Sequence, residues 1–150
     1  FLFDFANMIN ANEEPLPALA AMASKITQVH IKDALIIREA NGLGHQACIS
    51  GQGDLPFKEL LFQLICLGEH SPQVMAYGLE EEVDYYAPPF RFQGEDNNPW
   101  IPWRQMSETE LPKENLDTRL EKEFDDAINQ IHYVRNILNE LAQEAIAVLN

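Results

Sequence analysis

The chain has 150 residues, which fits one ordinary domain. It is 46% apolar and 9% aromatic, enough for a core and too much for wholesale disorder, while a formal net charge of −14 repels phosphate backbones and speaks against nucleic-acid partners. No apolar run approaches the length of a membrane span, and the two cysteines, Cys48 and Cys66, are too few for a disulfide scaffold; free thiols in a reducing, cytoplasmic setting are expected.

The chain opens Phe1-Leu2-Phe3-Asp4-Phe5, a continuous apolar and aromatic run that reads as a buried strand near 1–5. An opening inside a strand, with neither Met nor signal pattern, suggests a cut within a larger protein. A polar loop leads to a short helix over Pro17–Lys25. Ile26–Ile31 is β-branched and alternating and predicts a second strand, closed by His30-Ile31-Lys32-Asp33. Residues 34–53, with Gly42, Gly44, Gly51 and Gly53, read as a long connection. Phe57, Leu60, Leu61, Leu64 and Ile65 recur at helical spacing and predict a helix over Pro56–Gly68, with Gly68 at its end. A third strand is expected near 74–80.

Strands alternating with helices are the signature of parallel βαβ units, whose ligand sites lie beyond the carboxyl ends of the strands. Asp4, Asn7, His30, Lys32, Asp33, Glu80 and Glu82 then share one end of the sheet. Residues 83–112 change character: prolines cluster there with Tyr85, Tyr86, Phe90, Phe92, Trp100 and Trp103, which predicts a long ordered loop. Residues 113–150 hold no Gly or Pro. Leu120, Phe124, Ala127, Ile131, Val134, Leu138, Leu141, Ala145 and Val148 step by four and three, predicting one long amphipathic helix. Its seam packs on the protein's own core or on another subunit, which would make a homo-oligomer through this helix.

Asp4 and His30 are the leading chemical pair. Each ends a predicted strand, neighbouring parallel strands would bring them together, and carboxylate oxygen and imidazole nitrogen are ordinary ligands of divalent metals. Glu80 or Glu82 supplies a third group; alternation puts both on one face and turns Glu81 away. The plainer alternatives are a strand-end Asp that caps a helix and a His satisfied within the structure. His45 reads as a surface-loop residue, His70 and His132 as structural or exposed, and Asp117, Glu121, Glu123, Asp125 and Asp126 as a solvated helix face. Gly51-x-Gly53 is too short for a dinucleotide fingerprint and predicts a tight turn.

Phe3-Asp4-Phe5-Ala6-Asn7, Val29-His30-Ile31-Lys32-Asp33 and Gly51-Gln52-Gly53-Asp54-Leu55-Pro56-Phe57, followed by a strand ending in Glu, resemble the xylose-isomerase-like sugar phosphate isomerase/epimerase family over residues 1–82. The resemblance implies the C-terminal part of a (β/α)8 TIM barrel, about three βα units, followed by the long helix. It also implies one divalent metal (Mn, Mg, Co or Zn) held by Asp4, His30 and Glu80 or Glu82. The same glutamates would act as acid/base groups, with Asn7, Lys32 and Asp33 toward a sugar or sugar phosphate. The family's first metal ligand, a Glu on an earlier strand, has no counterpart here. Endonuclease-IV-like and dehydratase chemistry, or a non-catalytic truncated module, are the alternatives to carbohydrate isomerisation.

Overall fold

The computed structural model describes residues 1–40, 42–70, 76–80, 82–92, 94, 95 and 116–149. Three strands form a parallel sheet in the order β1 (Leu2–Asp4), β2 (Gln28–Ile31), β5 (Ala76–Leu79). Asp4 lies opposite His30, and His30 opposite Gly78. Backbone bonds from Phe5 N to His30 O and from Glu80 N to Ile31 O carry both pairings one step past the strands. β1 leads into α1 (Asn7–Asn10) and α2 (Pro15–Met22), the latter started by a proline whose missing N–H costs nothing at a helix N-terminus.

The stretch expected to be a connection is instead a hairpin. β3 (Asp33–Arg38) pairs antiparallel with β4 (Leu43–Cys48), and β6 (Tyr86–Ala87) adds to β4, so a second three-stranded sheet stands beside the first. This corrects the expected fold class. The chain is not a partial TIM barrel: the described residues build one parallel and one antiparallel sheet and a C-terminal helix. The physical reason lies in residues 34–37 and 43–48, whose apolar, alternating character satisfies its backbone by pairing with itself.

α3 (Phe57–His70) and α4 (Leu116–Leu149) complete the described elements. Phe3, Phe5, Val29 and Ile31 from the parallel sheet pack against Leu60, Leu61 and Leu64 of α3 and Val134 and Ile137 of α4. Edge-to-face ring contacts run through this core, from Phe3 to Phe5 (6.3 Å), Phe5 to Phe57 (5.6 Å) and Phe57 to Tyr133 (5.3 Å), and bind sheet, α3 and α4 in one line. Outside, Lys58 on α3 pairs with Glu140 (3.1 Å) and Glu144 (2.7 Å) of α4.

The seam expected on α4 is divided. Of its residues Val134 is buried, whereas Leu120, Phe124, Ile131 and Leu138 are exposed, and Ile137, outside the expected stripe, is buried instead. A straight α-helix turns every 3.6 residues, so a stripe stepping by about 3.5 drifts by about 20° per heptad and leaves the core. Asp126, expected on the solvated face, points inward and is buried together with Gln130. Of the Pro- and aromatic-rich segment, residues 96–112, with Trp100, Trp103 and Arg104, lie outside the described residues. Among the described residues, no helix is long and apolar enough to cross a membrane.

Candidate metal and acid/base site

Register builds the site. Asp4 and His30 are lateral neighbours on β1 and β2, and the next strand offers Gly78 at that level, with no side chain to intrude. Glu80 and Lys32 follow two residues later on the same face. Asp4, His30 and Glu80 bring one ligand atom each to within 4.8 Å of one another. His30 Nδ1 stands 3.8 Å from Asp4 Oδ2 and 3.3 Å from Glu80 Oε2. Ligands held at roughly 2.1 Å from one ion lie about 3–4 Å apart, so the spacings of His30 to Asp4 and Glu80 suit a divalent cation once the Lys32 ammonium, which contacts the same two oxygens, moves off them. Glu80 Oε2 is buried and faces the Lys32 ammonium at 2.9 Å.

Asp4 has two tasks. Its Oδ1 accepts the amides of Ala6 and Asn7, both at 2.9 Å, where α1 begins, and its Oδ2 faces the site. The capping and ligand readings of this residue therefore describe its two different oxygens.

Lys32 is buried in the midst of the carboxylates. Its Nζ lies 2.8 Å from Glu82 Oε2, 2.9 Å from Glu80 Oε2 and 3.1 Å from Asp4 Oδ2. The ammonium donates to Glu82 and pairs at similar distances with Glu80 and Asp4. Burial by itself lowers an ammonium's affinity for its proton, but the Glu82 hydrogen bond, the Asp4 charge and Glu80 outweigh it and hold Lys32 above its ordinary value. Of the two glutamates left open by sequence, Glu80 belongs to the donor cluster and Glu82 binds Lys32. Asn7, at the start of α1, is exposed.

Asp33, the remaining expected substrate group, is almost wholly buried. Its Oδ1 accepts Ala34 N (2.9 Å), and its Oδ2 accepts Gly51 N (2.8 Å) and Gly53 N (3.1 Å). Its work is to close the turn that carries the Gly51-x-Gly53 pair. That turn needs both glycines: Gly51 has φ +92°, and a Cβ on Gly53 would fall 2.1 Å from Asp33 Oδ1.

The chain is 71% identical over 150 residues to the uncharacterized protein YihM of Escherichia coli strain K12. The match takes in 99% of this chain and 46% of that protein, so the chain spans a little under half the length of this relative. No family model matches. No solved structure matches either.

One residue of the site region, Gln130, escaped the sequence reading, and another, His45, is not the surface-loop residue expected. Gln130 of α4 donates its amide to Ile31 O (3.0 Å) and Glu80 O (3.1 Å), tying the helix to the ends of β2 and β5. A polar residue amid the apolar seam was its one signal. His45 sits on β4 with no exposed surface. Asn10 donates its amide to Ala87 O and Pro88 O (both 2.7 Å), so its Oδ1 is left to accept from His45 Nδ1, which fixes the imidazole tautomer. Burial, then the nearby Lys32 charge, push the His45 pKa down to about 4. His132 is exposed, as expected.

Proposed function

We propose that the chain carries the metal-binding and acid/base groups of an isomerase or epimerase that acts on a small sugar or sugar phosphate. The observation supporting this is the convergence of Asp4, His30 and Glu80 at the ends of three adjacent parallel strands. These residues would hold one divalent cation, which when bound supplies positive charge for the oxygen beside the carbon that loses its proton. Three carboxylates against one ammonium leave two negative charges around Lys32, the complement of such an ion.

Glu82 lies outside the donor cluster and retains about a third of its side-chain exposure. Its carboxylate takes the proton from the carbon next to the carbonyl and returns it to the same carbon or the neighbouring one. Lys32 orients Glu82 through their hydrogen bond and places a fixed positive charge where oxyanion character develops. His30, half exposed, lines the open side of the site. The chain's net charge of −14 opposes nucleic acid as the substrate.

The test is solvent exchange. The Mn2+-loaded chain is incubated in D2O with a panel of ketoses and ketose phosphates, and deuterium at the carbon next to the carbonyl is read by NMR. Exchange is expected, with a loss of at least about 100-fold in Glu82→Gln. Asp4→Asn is expected to lose metal and exchange together. No exchange from any member of the panel, with metal bound, would remove the reading.

A further inference from the structure

We propose that Lys32 is the built-in counter-cation of this site: it holds Asp4 and Glu80 in place in the metal-free protein, yields both to a divalent ion, and stays on Glu82. This rests on the metal-binding reading above and adds a competitor to it.

The decisive geometry is that lysine and cluster share the same two oxygens. Asp4 Oδ2 is 3.1 Å from Lys32 Nζ and 3.8 Å from His30 Nδ1; Glu80 Oε2 is 2.9 Å from Lys32 Nζ and 3.3 Å from His30 Nδ1. A divalent ion placed between those oxygens and the imidazole would draw on the same lone pairs and repel an ammonium lodged beside it. The lysine holds three carboxylates, and two of them, Asp4 and Glu80, belong to the cluster. The third is Glu82, the carboxylate outside the cluster, at 2.8 Å. The side chain is buried, so water cannot readily take over from the carboxylates; Glu82 is the partner that keeps the ammonium paired once the other two are given up.

The consequence is that metal affinity is set by an internal exchange of cations as well as by the ligands. Zn2+ alone serves as probe, being diamagnetic and a fit for these donors. In the full chain with 15N-labelled lysine and histidine, the Lys32 ammonium resonance is followed during a Zn2+ titration, with the His30 ring nitrogens as reporters of occupancy. The expected result is a Lys32 signal that moves in step with His30 and completes at one equivalent. By calorimetry, Lys32→Met is expected to bind Zn2+ at least about tenfold more tightly and Glu82→Gln more weakly, since Glu82→Gln strands the lysine on the ligands. Removing a positive charge tightens binding even where the lysine never moves, so the resonance decides. A His30 response with a still Lys32 signal would overturn the exchange while leaving the metal site standing. Silence at both residues would overturn both. The resonance test uses the unaltered chain and holds even where Lys32→Met does not fold.

Discussion

Gly51 shows how little room single residues near the site have. Its φ of +92° is open to glycine, and a Cβ there would meet the Tyr133 ring at 2.5 Å. Gly51→Ala combines backbone strain with overpacking and is expected to cost about 2–3 kcal/mol in urea unfolding. His45 gives a pH dependence with a definite sign. Its folded pKa of about 4 lies below the ordinary 6.5, so the fold favours the neutral ring. The associated stability is fully present above pH 6.5 and is lost as pH falls toward 4, by up to about 3 kcal/mol. Urea midpoints between about pH 7.5 and 4.5 should show this loss, and His45→Gln should flatten it; an equally steep decline in the variant would refute the assignment. Cys48, by contrast, is made inert. Burial, with Asp33 and Asp54 nearby, pushes its thiol up from 9.0 to about 12. At about pH 8 its alkylation in the folded chain should be on the order of 1,000-fold slower than in the unfolded chain.

At the scale of elements, α4 positions the site through one amide. Gln130 satisfies the carbonyls of Ile31 and Glu80, which end β2 and β5. Gln130→Leu strands the Glu80 carbonyl, while Ile31 O keeps the Glu80 amide, and should lower stability by about 1–3 kcal/mol. It should also weaken Zn2+ binding, because the Glu80 carbonyl loses its anchor; unchanged binding with lowered stability would confine Gln130 to a structural role. The elements themselves were unequally legible. The three parallel strands were expected near 1–5, 26–31 and 74–80 and occur at Leu2–Asp4, Gln28–Ile31 and Ala76–Leu79; α3 and α4 were also foreseen within a few residues. Continuous apolar runs and uninterrupted helical periodicity carry that information locally. The hairpin was missed although Asn41-Gly42 separates two strand-like runs, because glycines spaced through 42–53 suggested a loop. That omission turned a two-sheet architecture into an expected barrel segment. Asp4, His30 and Glu80 were legible because each ends a strand. The role of Asp33 was not, since a strand-end carboxylate looks alike whether it faces a ligand or three backbone amides. The division of labour between Glu80 and Glu82 depends on the position of Lys32, which no local pattern encodes.

Over the whole molecule, charge weighs against compactness. The net −14 is offset locally where Lys58 pairs with Glu140 and Glu144 and Lys122 with Asp84, but most of it stays unscreened at low salt. Raising ionic strength from about 0.01 M to 0.1 M shortens the Debye length from about 30 Å to about 10 Å. The Tm should rise by a few degrees as self-repulsion is damped. A fall would mean that the surface pairs outweigh the repulsion.

Asp4 and Asn10 stand on either side of one short turn of helix, and this gears two distant parts of the chain together. Asp4 grips the start of α1 with one oxygen while the other faces the site, and Asn10, at the far end, holds Ala87 and Pro88 by its side chain and the amides of Phe90 and Arg91 by its carbonyl. A load on the site-facing oxygen would pass through this carboxylate along the four residues of α1, as through a rocker arm, to the segment held by Asn10. The backbone amides of Phe90 and Arg91 thereby become a remote gauge of the centre, and their hydrogen-exchange rates should change when Zn2+ is added although neither residue offers it a ligand.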